Sequence, residues 1–168
     1  MMATTSSGTA KVTLPADDQI LITREFNAPR HLVYKAWTTP ELVRRWWHAK
    51  RGEVTVAEID LRVGGRWRWV MVTPDGLEVG FHGEYRELVP DERIVSTEVY
   101  EGIPVPEGTP ETAALNTLTL DETDGRTTLW LLVQHDSKAT RDAVIESGME
   151  DGLQDALDLV EELAVSLR

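Results

Sequence analysis

Along most of the chain apolar and polar residues alternate with a period of two, and that rhythm predicts strands more often than helices. From Gln19 to Asn27, Ile20 and Ile22 answer Leu21 and Thr23, with Phe26 near the end, so a strand with one well-buried face is expected. Asn27-Ala28-Pro29 stops it. Leu32, Val33, Ala36 and Trp37 then recur at helical spacing, and proline suits a first helical turn, so Pro29 to Trp37 reads as a short helix. Thr39-Pro40-Glu41 restarts the same logic, with Thr39 as N-cap and Leu42, Val43, Trp46 and Trp47 as the apolar face of a second short helix. Alternation returns from Val54 to Tyr100, cut by Gly64-Gly65, Pro74-Asp75-Gly76 and Pro90-Asp91-Glu92 into four strands joined by hairpins. Glu101 to Pro110 holds three prolines and two glycines and reads as a surface loop. Leu115 to Glu122 and Arg126 to His135 follow as two strands around a turn at Asp124-Gly125. The sum is about seven antiparallel strands. Ser137 is placed to cap a closing helix that runs to Arg168 with scope for a bend at Gly148; its stripe is Met149, Leu153, Ala156, Val160, Leu163 and Leu167. Gly148 and Gly152 fall inside that stripe, where glycine weakens a helix and calls for a bend or a packing reason. The class is α+β: a curved antiparallel sheet, two short helices after the first strand, and a long C-terminal helix across the concave face.

A length of 168 residues is that of one domain. Met1 to Asp18 is rich in Thr, Ser and Ala, lacks the basic start and apolar run of a secretion signal, and reads as a flexible tail before a domain at 19–168. The net charge of −12 repels phosphate backbones and anionic membrane surfaces, which excludes nucleic acid as a natural partner. No apolar run is long enough for membrane insertion. The absence of cysteine removes disulfides, thiolate metal sites and thiol nucleophiles, and fits a reducing, cytoplasmic location. Six tryptophans are a large share for such a chain, and their placement decides where chemistry is sought.

In Arg66-Trp67-Arg68-Trp69-Val70-Met71-Val72 the two faces separate cleanly: Trp67, Trp69 and Met71 point one way, Arg66 and Arg68 the other. Phe81, Gly83 and Tyr85 oppose His82, Glu84 and Arg86 in the same manner, and Leu129, Leu131, Val133 and His135 share a face later on. One helix laid over a wide curved sheet often leaves a cleft, and the expected lining is Trp47, Trp67, Trp69, Met71, Phe81, Tyr85, Leu131, Val133, His135, Met149 and Leu153. The plainer alternative is that these residues form solid core. Trp46 and Trp47 are neighbours on a helix and cannot face one way, so one is expected inside and the other at a rim. His31, His48, His82 and His135 lack zinc-site spacing, so no metal is expected. Gly64-Gly65 sits between strands and is no phosphate cradle. His82 and Glu84 share a strand face and form a conceivable acid/base pair, although that face is the solvated one; His135 is the one weak catalytic candidate. No nucleophile elbow is present.

Several motifs together resemble a known family. They are Ala28-Pro29 with Val33-Tyr34-x-Ala36-Trp37-Thr38; Thr39-Pro40-Glu41-Leu42 leading to Trp46-Trp47; Asp60-Leu61-Arg62-Val63-Gly64-Gly65-Arg66; Phe81-His82-Gly83-Glu84-Tyr85; Val89-Pro90 with Arg93-Ile94-Val95; and Ser147-Gly148-Met149-x-x-Gly152-Leu153. The chain resembles bacterial single-domain relatives of activators of the heat-shock protein 90 ATPase, in the START-like (SRPBCC, Bet v-type) superfamily. The resemblance implies a β-α-α-β-β-β-β-β-β-α helix-grip fold and, since that scaffold carries many activities, names no ligand. Three functions follow: binding of a small hydrophobic or aromatic molecule, with no cofactor; a cofactor-independent hydrolase or cyclase using His135; or a protein-interaction module with chaperone contact. Homodimer formation is left open.

Overall fold

A computed structural model describes residues 9–102 and 113–168. One eight-stranded antiparallel sheet in the order β1-β2-β8-β7-β6-β5-β4-β3 carries four helices. The strands are β1 (Lys11–Thr13), β2 (Gln19–Phe26), β3 (Glu53–Ile59), β4 (Arg66–Val72), β5 (Glu78–Val89), β6 (Arg93–Gly102), β7 (Ala114–Thr123) and β8 (Arg126–Gln134). The helices are α1 (Arg30–Thr38), α2 (Pro40–Trp46), α3 (Lys138–Glu146) and α4 (Met149–Ser166). This is the helix-grip architecture, and the two short helices stand where the proline signals put them. Among the described residues no helix is long and apolar enough to cross a membrane, and no group of three or more His, Asp or Glu could hold a metal ion.

Two expectations change. Part of the stretch read as a tail is structured: Lys11–Thr13 pairs with Leu21–Thr23 as an edge strand, Ala10 is buried, and the Ala10 backbone exchanges two hydrogen bonds with the Gln154 side chain on α4. A three-residue strand is too short to show a period, which is why alternation missed it. Residues 1–8, and 103–112 of the Pro/Gly-rich loop, lie outside the described residues, while Glu101 and Gly102 still belong to β6. The closing helix is also two helices. Ser137 caps α3 by accepting from the Thr140 N–H, but Gly148 adopts φ 84°, a left-handed conformation that ends one helix and starts the next. Thr39, expected as a cap, holds extended backbone there but makes no side-chain capping bond.

On β2 the period-two phase turns Ile20, Ile22, Arg24 and Phe26 to the core. Arg24 is thus carried inside by its neighbours' pattern and needs a counter-charge. α4 supplies it: Arg24 Nη2 lies 3.0 Å from Glu161 Oε1 and Nη1 lies 2.8 Å from Asp158 Oδ1. Glu161 Oε2 also accepts from the Asn27 backbone N–H at 2.7 Å. Around this network Phe26, Leu129, Leu157, Val160 and Ala164 are essentially without exposure.

Candidate functional site

The other half of α4 crosses a different part of the sheet. β4 and β5 pair so that Trp69 opposes Phe81, Met71 opposes Val79 and Trp67 opposes Gly83. Gly83 has a steric reason: a Cβ there would stand 1.8 Å from the Thr97 carbonyl oxygen and 2.8 Å from Trp67 Nε1. The bare backbone lets the Trp67 indole N–H reach across and donate to that carbonyl at 3.2 Å. From the opposite wall α2 and its C-cap contribute Trp46 and Trp47. Trp46 is buried and donates from Nε1 to the Ala36 carbonyl at 2.9 Å, whereas Trp47, just past the helix end, keeps part of its surface. The rings run together: Trp37–Trp46 centroids at 4.5 Å, Trp46–Trp69 at 5.8 Å, Trp67–Trp69 at 5.1 Å, Trp47–Trp69 at 5.9 Å and Trp47–Phe81 at 6.0 Å. Most meet edge to face, the geometry that the ring quadrupoles favour.

Between this aromatic wall and the N-terminal half of α4 lies a cavity of about 390 Å³. Nine of the eleven residues expected from strand and helix phase line it: Trp47, Trp67, Trp69, Met71, Phe81, Tyr85, Leu131, Met149 and Leu153. Val133 and His135 do not, which corrects their placement. They share the face of Leu131, but at about 3.3 Å per residue they stand one and two side-chain steps farther along the strand direction, toward the start of β2. Val133 is paired there with Ile20 and Asn116, and the backbone N–H of His135 donates to the Asp18 carbonyl. Burial holds the His135 imidazole below its usual pKa, and its Nε2 has no partner among the described residues.

The structure also adds residues that were not in the expected lining. Trp37, Trp46, Ala49, Val79, Ile94, Leu118 and Ala156 extend the apolar wall, and Arg51 stands beside it, bonded to Asp155 at 2.7 Å and to the Ala49 carbonyl at 2.8 Å. Gly152 faces open space: the nearest atom to a Cβ there would be the Arg51 guanidinium carbon at 4.0 Å. Its missing side chain adds to the cavity rather than permitting a close helix–sheet approach.

More consequential are Ser96, Glu98 and Asn116, a polar group on the cavity floor. Burial pushes the Glu98 pKa up to about 7, outweighing the neighbouring Asn116 amide, which favours the charged carboxylate. Glu98 keeps some accessible surface because it borders the cavity. Asn116 Oδ1 and Trp69 Nε1, both buried at this site, have no hydrogen-bond partner among the described residues. Burial likewise raises the Tyr85 phenol, with Tyr34 adding to it, so that Tyr85 stays neutral. Sequence reasoning passed over Glu98 because the segment Ile94-Val95-Ser96-Thr97-Glu98-Val99-Tyr100 offers two comparably mixed faces.

On the opposite face of the sheet His82 does not pair with Glu84. Its Nδ1 lies 2.6 Å from Glu101, which also takes a two-pronged ion pair from Arg68, while Glu84 pairs with Arg86 at 3.3 Å. The Arg68 bond, followed by that from His82, holds the Glu101 carboxyl below the usual carboxylate range.

Residues 27–164 match the model of a family described as "Activator of Hsp90 ATPase homolog 1-like protein". The chain belongs to this family. Its fold recurs in solved bacterial structures: a Rhodobacter sphaeroides protein is 24% identical with a TM-score of 0.83, covering 95% of this chain and 99% of that one. A Mycobacterium smegmatis protein is 23% identical with a TM-score of 0.81, covering 93% and 96%. A Chromobacterium violaceum protein reaches 26% identity and a TM-score of 0.75, covering 89% and 98%. No curated protein gives a match. Membership in the Hsp90-ATPase-activator-like family accounts for the helix-grip scaffold and leaves the ligand to be argued from the cavity.

Proposed function

We propose that this chain binds a small apolar or aromatic molecule in the cavity between α4 and the sheet. The observation that carries the reading is the cavity itself: about 390 Å³, inside the range of ligand sites, walled by aromatic rings and flanked by buried polar atoms without a partner among the described residues. Solid core would leave neither the space nor the orphaned groups, since buried polar atoms are normally satisfied. An enzyme built on His135 finds less support, because that imidazole is not among the groups bordering the cavity. A protein-interaction module is disfavoured by the spread of exposed apolar side chains: Leu14, Leu61, Val63, Leu77, Val89, Trp130 and Val165 sit on several separate segments. With no cysteine to oxidise, the cytoplasm is the proposed location.

The test is native mass spectrometry of gently purified protein, followed by titration with apolar aromatic probes read by tryptophan emission and melting temperature. A bound probe quenches or shifts the indole signal and stabilises the fold, by about 2.7 kcal/mol at a hundred times its dissociation constant. Protein that carries no small molecule, and that responds to no probe up to its solubility limit, would overturn the proposal.

A further inference from the structure

The chemistry of the ligand can be narrowed, on the premise that the cavity is a binding site. Two acceptors stand side by side on its floor: the Glu98 carboxylate of β6 and Asn116 Oδ1 of β7. The Asn116 amide stands beside that carboxylate and favours its charged form. Its Oδ1 is buried and has no hydrogen-bond partner among the described residues. Among the described residues lining the cavity the one basic side chain is Arg51, and it is engaged with Asp155 and the Ala49 carbonyl. The site therefore offers a carboxylate and a second acceptor to the cavity and supplies no free cation to match them.

We propose that the cavity takes a small apolar, ring-bearing molecule that carries a protonated amine, with the ammonium donating to the Glu98 carboxylate and Asn116 Oδ1 inside the tryptophan-rich wall. An ammonium brings several donors and a full positive charge to a place where the protein has left acceptors and a costly buried carboxylate. A neutral hydroxyl satisfies one acceptor and leaves the charge unmatched. An anion meets Glu98 as a like charge, within a protein whose net charge is already −12. The aromatic wall works in the same direction, because indole faces attract cations. Burial that makes Glu98 reluctant to ionise is also what an incoming cation would offset.

Three probes of one shape test this: 2-naphthylmethylamine, 2-naphthylmethanol and 2-naphthoic acid, titrated at pH 8 by tryptophan emission and isothermal calorimetry. The expected order is amine first, alcohol about tenfold or more weaker, and acid weakest, since one charge-assisted contact typically shifts affinity by at least that factor. Glu98→Gln keeps the shape and removes the charge; it should lower amine affinity far more than alcohol affinity and so bring the two to similar values. Asn116→Ser, which withdraws Oδ1, should lower amine affinity more than alcohol affinity. Equal binding of amine and alcohol by the unaltered protein, or an amine preference that survives Glu98→Gln, overturns the amine inference while the cavity remains a binding site. Failure of all three probes overturns the amine inference, and overturns the binding site with it when the purified protein also carries no small molecule and answers no other aromatic probe.

Discussion

The two halves of α4 lie on the same sheet and end in opposite results. Toward the C-terminus Leu157, Val160, Leu163 and Ala164 are buried, and the Arg24–Glu161 pair joins helix to β2 with no room to spare. Toward the N-terminus Met149, Gly152, Leu153 and Ala156 border a cavity of about 390 Å³. The difference comes from what faces the helix. The closed half lies over the Arg24 end of β2, where Phe26 and Leu129 are fully buried and the one inward charge is matched by acidic partners on α4. The open half meets β4 to β7, where large rings stand against the walls and three polar residues, Ser96, Glu98 and Asn116, form the floor. Rings braced edge to face keep their places without filling the middle. A buried polar atom left without a partner then marks where something else belongs.

The sharpest way to break the closed half is Arg24→Ala, which leaves Glu161 buried without its cation. Thermal or denaturant unfolding should show a loss of about 3 to 5 kcal/mol; a near-neutral result would mean that the pair does not anchor α4. A pair of leucines sharpens the contrast next. Leu157→Ala in the closed half should cost about 2 to 5 kcal/mol, whereas Leu153→Ala, which only enlarges an existing space, should cost clearly less. Equal losses would place both side chains in solid core.

Third comes the pH dependence of Glu98→Gln. The folded protein raises this carboxyl to about 7, so between the ordinary carboxylate range and pH 7 the folded state holds a proton that the unfolded chain releases. Its contribution to stability is therefore full at acid pH and is lost as pH rises through that window. Tyr85, which also borders the cavity, stays neutral throughout and does not reverse the sign. Glu98→Gln should match the original protein near pH 4.5 and exceed its stability by about 2 to 3 kcal/mol above pH 7.5. Parallel stability curves across that range would show that Glu98 is solvated. The smallest effect is expected at the joint between α3 and α4, where Gly148→Ala forces a Cβ into a left-handed conformation at a cost of about 1 to 2 kcal/mol, read as a lower melting temperature.

What the amino-acid pattern determined by itself was the set of elements and most of the cavity wall. Period-two alternation, proline at the first turn of a helix and glycine in turns act over a few residues, so β2 to β8 and both short helices were legible, as was the inward side of Trp67, Trp69, Met71, Phe81 and Tyr85. Only tertiary structure decided the rest, because it depends on contacts between distant segments. β1 is three residues long and exists through its pairing with β2 and the bonds from Ala10 to Gln154. Strand phase gives a side and not a position along the strand, and the cavity ends before Val133 and His135. Ile94 to Tyr100 alternates with polar residues on both faces, so no local rule could say that Glu98 rather than Val99 faces the cavity; pairing of β6 with β5 and β7 decided it. A cavity is a shortfall of atoms between surfaces remote in sequence, and only the assembled sheet and helix show where that shortfall lies.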